Sequence, residues 1–211
     1  MDDVINEPHK SRIRRENLKR ILKAAEHTFA ECGFSGATVA EIALRARLPK
    51  ANLHYYFGTK DELYRAVLDG VLAEWADTMA HFVPDADPRT AVSEYIRAKM
   101  EFSRTRPHAS KVFANEIMHG APILAEFLGE KLRPLVAEKA QVIEGWVRDG
   151  RIADTDGQHF FFLVWAMTQT YADFEVQIRS VLGKQRLTRE DWEHITSLVE
   201  TFVLRGLGLG D

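Results

Sequence analysis

"RLPKANLHYYFGTKDEL", residues Arg47 to Leu63, places three aromatics, Tyr55, Tyr56 and Phe57, at the end of a very short helical segment. Pro49 suits the first position of a helix because its missing N–H would be unpaired there anyway, and Gly58 ends the run, so the spacing predicts a helix from about Pro49 to Tyr56. Isolated helices shorter than ~12 residues are marginal in water, so this one needs side-chain anchors. Leu53 and Phe57, four apart, can supply them against neighbouring helices. That leaves Lys50, Ala51, Asn52 and His54 on the outward face near the helix start, where recognition helices touch base edges. Tyr55 and Tyr56 carry hydroxyls able to reach phosphates from the rim of a groove, and a phenol can equally serve as a packing aromatic.

Upstream, Leu18, Ile21, Leu22, Ala25 and Phe29 form one apolar stripe, which predicts a first helix from roughly Ser11 to Cys32. Gly33 and Gly36 punctuate its end, with Phe34 as an apolar plug between helices. Thr38 and Glu41 form a capping box for a second helix that carries Val39, Ile42, Ala43 and Ala46 inward. The chain turns at Arg47-Leu48. Two short helices joined by a tight turn are the helix-turn-helix arrangement. Downstream, Thr59 and Glu62 form another capping box, opening a long fourth helix to about His81 that contains Leu63, Val67, Val71 and Trp75.

Charge is divided unevenly. Met1 to Lys60 holds 11 Lys and Arg against 7 Asp and Glu, a net of +4, whereas the rest of the chain holds 17 against 24, a net of -7. Between Lys10 and Lys23, seven basic residues (Lys10, Arg12, Arg14, Arg15, Lys19, Arg20, Lys23) face only Glu16, a candidate phosphate-binding patch or a solvated helix face.

The stretch from Ile21 to Leu68 resembles the DNA-binding domain of the TetR family of bacterial transcriptional regulators. Phe29, Gly33, Phe34 and Thr38 match one family step, and Tyr55, Tyr56, Phe57, Lys60 and Leu63 match the next. The resemblance implies that Tyr56 and Lys60 hold phosphates, that Thr38 caps helix 2 and touches the DNA backbone, and that Lys50 to His54 enter the major groove. Arg47 stands where Gly is common and Pro49 where Ser is common.

Beyond Asp69 the chain still reads as helix. "VPDADP" (Val83 to Pro88) is a linker before a fifth helix, Pro107 starts a sixth, "HGAPI" (His119 to Ile123) precedes a seventh, and Pro134 is expected to kink or split that one. Phe160 to Phe174 is apolar on nearly all faces, as suits a helix buried on both sides. The last helix has a broad apolar face through Trp192, Ile195, Leu198, Val199, Phe202 and Val203. Pairing of these last two helices between two copies as a four-helix bundle is the simplest burial. Within the buried helix, Trp165, Gln169 and Asp173 recur at four-residue spacing, with Tyr171 and Phe174 flanking. Gln169 can give and take a hydrogen bond, Asp173 can accept one and Trp165 can stack, which suits a small planar ligand with ring N–H and C=O groups. The same polar pair could instead satisfy backbone groups or ion-pair at a dimer interface. Arg97 and Lys99 are candidate partners for Asp173.

From Glu94 to Phe174, "EYIRAKMEFSRTRPHASKVF", "GAPIL", "EGWVRDGRIA" and "WAMTQTYADF" resemble the pyrimidine-utilisation (Rut-type) regulators within the TetR family. That resemblance implies a dimeric regulator sensing uracil or thymine. It implies pocket residues Trp165, Gln169, Tyr171 and Asp173, with Trp75, Lys99 and Asn115 as further candidates.

The expected architecture is thus all-α: residues 1–58 a helix-turn-helix DNA-binding domain, residues 59–211 a helical ligand-binding and dimerisation domain. The expected protein is a ligand-responsive regulator, acting as a repressor on an inverted-repeat operator in double-stranded DNA and dimeric through its last two helices. Two alternatives stand beside it: a TetR-type regulator of an unrelated ligand, and a helical ligand-binding or scaffold module without DNA binding. No catalytic residue, cofactor or metal is expected. The eight His lack a metal-binding spacing, no Gly-x-Ser-x-Gly elbow occurs, and "GLGLG" at Gly206 to Gly210 lacks the strand-then-helix setting of a dinucleotide loop. No run of eighteen apolar residues and no hydrophobic leader core occur, and Cys32 is the single cysteine, so a cytoplasmic location is expected.

Overall fold

The computed structural model describes residues 6–210, with side chains from Ser11 onward, so the Lys10 side chain of the basic run lies outside the described residues. The described residues form helices and turns and no strand. The chain divides into two compact units between Val71 and Leu72.

The first unit contains α1 (Asn6–Gly36), α2 (Val39–Ala46), α3 (Lys50–Tyr56) and the first turns of α4 (Lys60–Thr78). Helix α1 is broken at Gly33, where φ of 66° and ψ of 176° need a residue without a Cβ. The expected apolar stripe is the core: Ile21, Ala25 and Phe29 are buried with Ile42, Ala46, Leu53, Leu63 and Val67. Phe34 plugs the corner against Phe29 and Tyr64, ring centres 6.2 and 5.0 Å away. Thr38 caps α2, its Oγ1 accepting from the Glu41 N–H at 3.1 Å. Thr59 does the same for Glu62, while the Glu62 carboxylate reaches back to the Gly58 N–H at 2.8 Å instead of closing on Thr59. Pro49 is the N-cap of α3, one position earlier than expected.

The second unit contains the rest of α4, a 3-10 turn (Met79–His81), α5 (Pro88–Thr105), α6 (Pro107–Met118), α7 (Ala125–Phe127), α8 (Arg133–Arg148), α9 (Gly157–Asp173), α10 (Glu175–Val181) and α11 (Arg189–Gly206). Proline opens α5 and α6 at the first helical positions, where no N–H is needed. Asp87 and Asp156 cap α5 and α9 through their carboxylates, and Thr188 with Asp191 forms a complete capping box on α11. Ahead of Pro134 the helix widens into a π turn (Leu128–Leu132), since the proline nitrogen offers no hydrogen to the preceding turn. The short α10 has no counterpart in the sequence expectation. The core is aromatic, with Phe82 ringed by Tyr95, Trp146, Phe160 and Phe161. At the start of α9, Gly157 lets the helix sit on α8: a Cβ there would meet the Ala140 carbonyl oxygen at 2.6 Å.

Candidate nucleic-acid interface and ligand cavity

The turn between α2 and α3 is held from two sides. Arg47 adopts the left-handed conformation (φ 54°, ψ 45°), and its N–H closes α2 on the carbonyls of Ala43 and Leu44. Arg20, counted within the basic run, donates from Nη2 to the carbonyls of Ala46 and Arg47 at 2.7 and 3.0 Å. Arg12, exposed, lies 3.9 Å from Glu16 on the same helix face, and Arg14, Arg15, Lys19 and Lys23 are likewise exposed along α1, so of the basic run Arg20 is the one seen serving the turn.

Helix α3 is anchored by Leu53, which is 1% exposed. Lys50, Ala51, His54 and Tyr55 lie exposed on its surface, and Asn52 and Tyr56 are half-buried. Tyr55 stands 74% exposed, its ring edge-on to Tyr56 at 5.4 Å. The Tyr56 hydroxyl donates to the Arg14 carbonyl at 3.3 Å, tying α3 to α1. Lys60 has structural work as well: Nζ donates to the carbonyls of Phe34 and Ala37 at 2.8 and 3.1 Å and lies 4.4 Å from the centre of the Phe34 ring. One of its three N–H groups makes no hydrogen bond among the described residues. Thr38, with Oγ1 on its own helix cap, is exposed beside it.

The second unit encloses a cavity of about 260 Å³. Leu72, Trp75 and Ala76 of α4 form one wall, with Tyr95 and Lys99 of α5 and Trp165 and Gln169 of α9 opposite. Phe113 and Ile117 of α6 and the segment Phe127, Leu128, Leu132 close the rest. Trp165 donates its indole N–H to the Tyr95 hydroxyl at 2.6 Å, which fixes the ring in place. Trp75 is held edge-on by Phe102 and Phe113 at 5.5 and 4.6 Å, and its buried Nε1 has no hydrogen-bond partner. The Gln169 amide makes no hydrogen bond among the described residues, so it is free to turn toward a ligand. Lys99 is 2% exposed, with Nζ 3.8 Å from the centre of the Trp75 ring. Burial drives its pKa down to about 7, and the nearby Asp173 opposes this only in part.

Of the expected pocket residues, Trp75, Lys99, Trp165 and Gln169 meet in this cavity, and Asn115, Tyr171 and Asp173 are not among its lining. Asp173 sits at the end of α9 and accepts from the Ser110 hydroxyl at 2.6 Å; burial raises its pKa, and that hydrogen bond offsets the rise only in part. The Tyr171 ring lies against Trp192 at 6.2 Å. Asn115 is half-buried on α6, its carbonyl accepting from His119. Arg97 pairs with Glu200 at 2.7 Å and is unavailable to Asp173. Sequence reasoning missed Tyr95, whose pattern is that of an ordinary core aromatic, and the apolar side chains of Phe127, Leu128 and Leu132.

A helix-turn-helix unit joined through one continuous helix to a helical unit with an enclosed cavity defines a ligand-responsive class of DNA-binding regulator. Residues 21–67 match the family described as bacterial regulatory proteins, tetR family, and residues 68–210 match the YcdC-like protein, C-terminal region. The chain belongs to the TetR family: it is a DNA-binding transcriptional regulator and not an enzyme. It is similar to the HTH-type transcriptional regulator RutR of Escherichia coli (strain K12), 39% identical over 94% of this chain and 93% of that one. It is also similar to the HTH-type transcriptional repressor NicS of Pseudomonas putida, 25% identical over 89% and 90% of the two chains. Among solved structures, the fold matches a TetR-like regulator from Rhodococcus sp. RHA1 (TM-score 0.64, 20% identity, 90% and 94% covered). It matches AibR in complex with isovaleryl coenzyme A and operator DNA with a TM-score of 0.66, at 16% identity over 88% and 97%. No helix among the described residues is long and apolar enough to cross a membrane.

Proposed function

We propose that this protein is a homodimeric repressor that holds an inverted-repeat operator and releases it when a small pyrimidine such as uracil or thymine fills the cavity. The observation that carries the ligand reading is the cavity itself. Its volume of about 260 Å³ suits a single ring, two indoles and a phenol give flat walls, and Gln169 and Lys99 supply polar contacts. Kinship with RutR over nearly the whole chain and the sequence resemblance to pyrimidine-utilisation regulators favour the same ligand. Lys50, Ala51, Asn52, His54 and Tyr55 read the groove, while Thr38 and the third N–H of Lys60 meet phosphates, joined by Tyr56 when its hydroxyl turns from the Arg14 carbonyl to a phosphate oxygen. Dimerisation uses α9 and α11, where Phe162, Leu163, Leu198 and Phe202 are exposed by 47, 61, 54 and 71%.

Helix α4 is the lever. It begins at Lys60 beside the DNA-facing helices and ends with Leu72, Trp75 and Ala76 in the cavity wall. A ligand shifts the regulator only by binding one position of α4 better than the other. Gel shifts on the protein's own upstream region test this. Binding is expected to need two half-sites about one helical turn (~34 Å) apart and to fall steeply with salt. Uracil or thymine at millimolar concentration is expected to release the DNA; retention with both bases would refute the pyrimidine reading, and no binding to any operator fragment would favour a ligand-binding module without DNA.

A further inference from the structure

The polar groups of the cavity are mostly donors. Lys99 Nζ finds a ring face at 3.8 Å but no hydrogen-bond acceptor among the described residues. Trp75 Nε1 is buried and unpartnered, and the Tyr95 hydroxyl, having accepted from Trp165, still has its own proton to give. Gln169 brings the one side-chain carbonyl of the lining. An occupant must therefore bring acceptors, and an oxygen placed at Nζ becomes the first hydrogen-bond partner of that nitrogen.

We propose that ligand binding in this cavity is coupled to uptake of a proton by Lys99, so that the site selects small planar molecules presenting a carbonyl or carboxylate oxygen to Nζ and responds to pH as well as to ligand. The inference rests on the cavity being the effector site.

Its sign follows from the surroundings of Lys99. Of the lining side chains only Lys99 and Tyr95 titrate, and burial holds the Tyr95 hydroxyl protonated. From α9 the charged group acting on Lys99 is Asp173; α6 contributes Lys111, which acts on Asp173, and Ser110, which occupies it; α4 contributes the neutral Trp75. Burial holds Lys99 down to about 7, so above that pH the empty cavity contains the amine. An acceptor oxygen at Nζ favours the ammonium, whose added proton comes from solvent while the ligand keeps its own. Binding thus takes up a proton above neutrality and none where Lys99 is already charged.

Uracil is the probe. Isothermal titration in two buffers of different ionisation enthalpy is expected to show close to one proton taken up per site at about pH 8, and nearly none at about pH 5.5. Affinity should weaken up to tenfold per pH unit above neutrality, and Lys99→Met, checked for folding by its melting temperature, should abolish both effects. In the ligand-free protein, one lysine Cε resonance absent from Lys99→Met should titrate near neutrality. Uracil binding without proton uptake, or a Lys99 resonance that stays unchanged through about pH 9, overturns the coupling and leaves the pyrimidine reading standing. Failure of wild type to bind uracil or thymine at any of these pH values overturns that reading and the coupling with it.

Discussion

The Ser110 hydroxyl donates to the Asp173 carboxylate at 2.6 Å, joining α6 to the last turn of α9 outside the ligand cavity. Asp173 is therefore an interhelical tie whose link to the cavity is its charge acting on Lys99. Ser110→Ala is expected to cost ~1–3 kcal/mol of stability in urea unfolding, because a half-buried carboxylate loses its donor. Asp173→Asn is expected to change uracil affinity at about pH 6 by less than roughly threefold, whereas Gln169→Leu should cost about tenfold or more, ~1.5 kcal/mol. Titration calorimetry on both variants decides between a cavity centred on Gln169 and one extended to Asp173.

Stability should depend on pH through Lys99. Its folded pKa is about 7 against an ordinary 10.5, so between these values the unfolded chain binds the extra proton and stability rises with pH. The contribution is complete above the unfolded value and is lost as pH falls to about 7. Wild type minus Lys99→Met, compared by urea unfolding at about pH 6 and pH 9, should show a rise of a few kcal/mol, the scale of ~1.4 kcal/mol for each tenfold change in proton affinity. A difference that does not change with pH would contradict a buried, deprotonating Lys99.

Arg47 holds a left-handed backbone that a side chain with a Cβ adopts at a cost. Arg47→Gly should stabilise the protein by ~1 kcal/mol, net of the entropy that glycine adds to the unfolded chain, and raise the melting temperature by a few degrees. A lower melting temperature would mean that the arginine side chain contributes more than its backbone strain costs.

The apolar faces of α9 and α11 make the dimer assignment testable. Leu163 and Phe202 are 61 and 71% exposed in the single chain, so Leu163→Glu with Phe202→Glu should leave each chain folded. Two carboxylates in an apolar contact should instead drive dissociation, seen as a monomer in sedimentation velocity and a loss of operator binding. Persistence of the dimer would place its interface elsewhere.

Local rules made the first unit readable. Apolar residues at three- and four-residue spacing, the hydroxyl caps at Thr38 and Thr59, and Gly33 and Gly58 as breaks each act within a turn or two of themselves, so the order of α1 to α4 was written in the chain, although α1 starts at Asn6 and not near Ser11 and α4 gives way to a 3-10 turn after Thr78. The π turn before Pro134 and the short α10 were less readable, because a proline marks a disturbance without stating its form and a seven-residue helix carries too little periodicity. Partnership was decided only in three dimensions. Arg20 looked like one of seven surface cations until α2 ended beneath it, and nothing in the spacing of Lys60 showed that two of its N–H groups meet the carbonyls of Phe34 and Ala37. Lys99 and Gln169 share a cavity although seventy positions separate them, while Asp173, on the same helical spacing as Gln169, answers to Ser110. Helical periodicity fixes which way a side chain points along its own helix; what it meets there depends on how helices far apart in sequence cross, and that is set by the packing of the whole core.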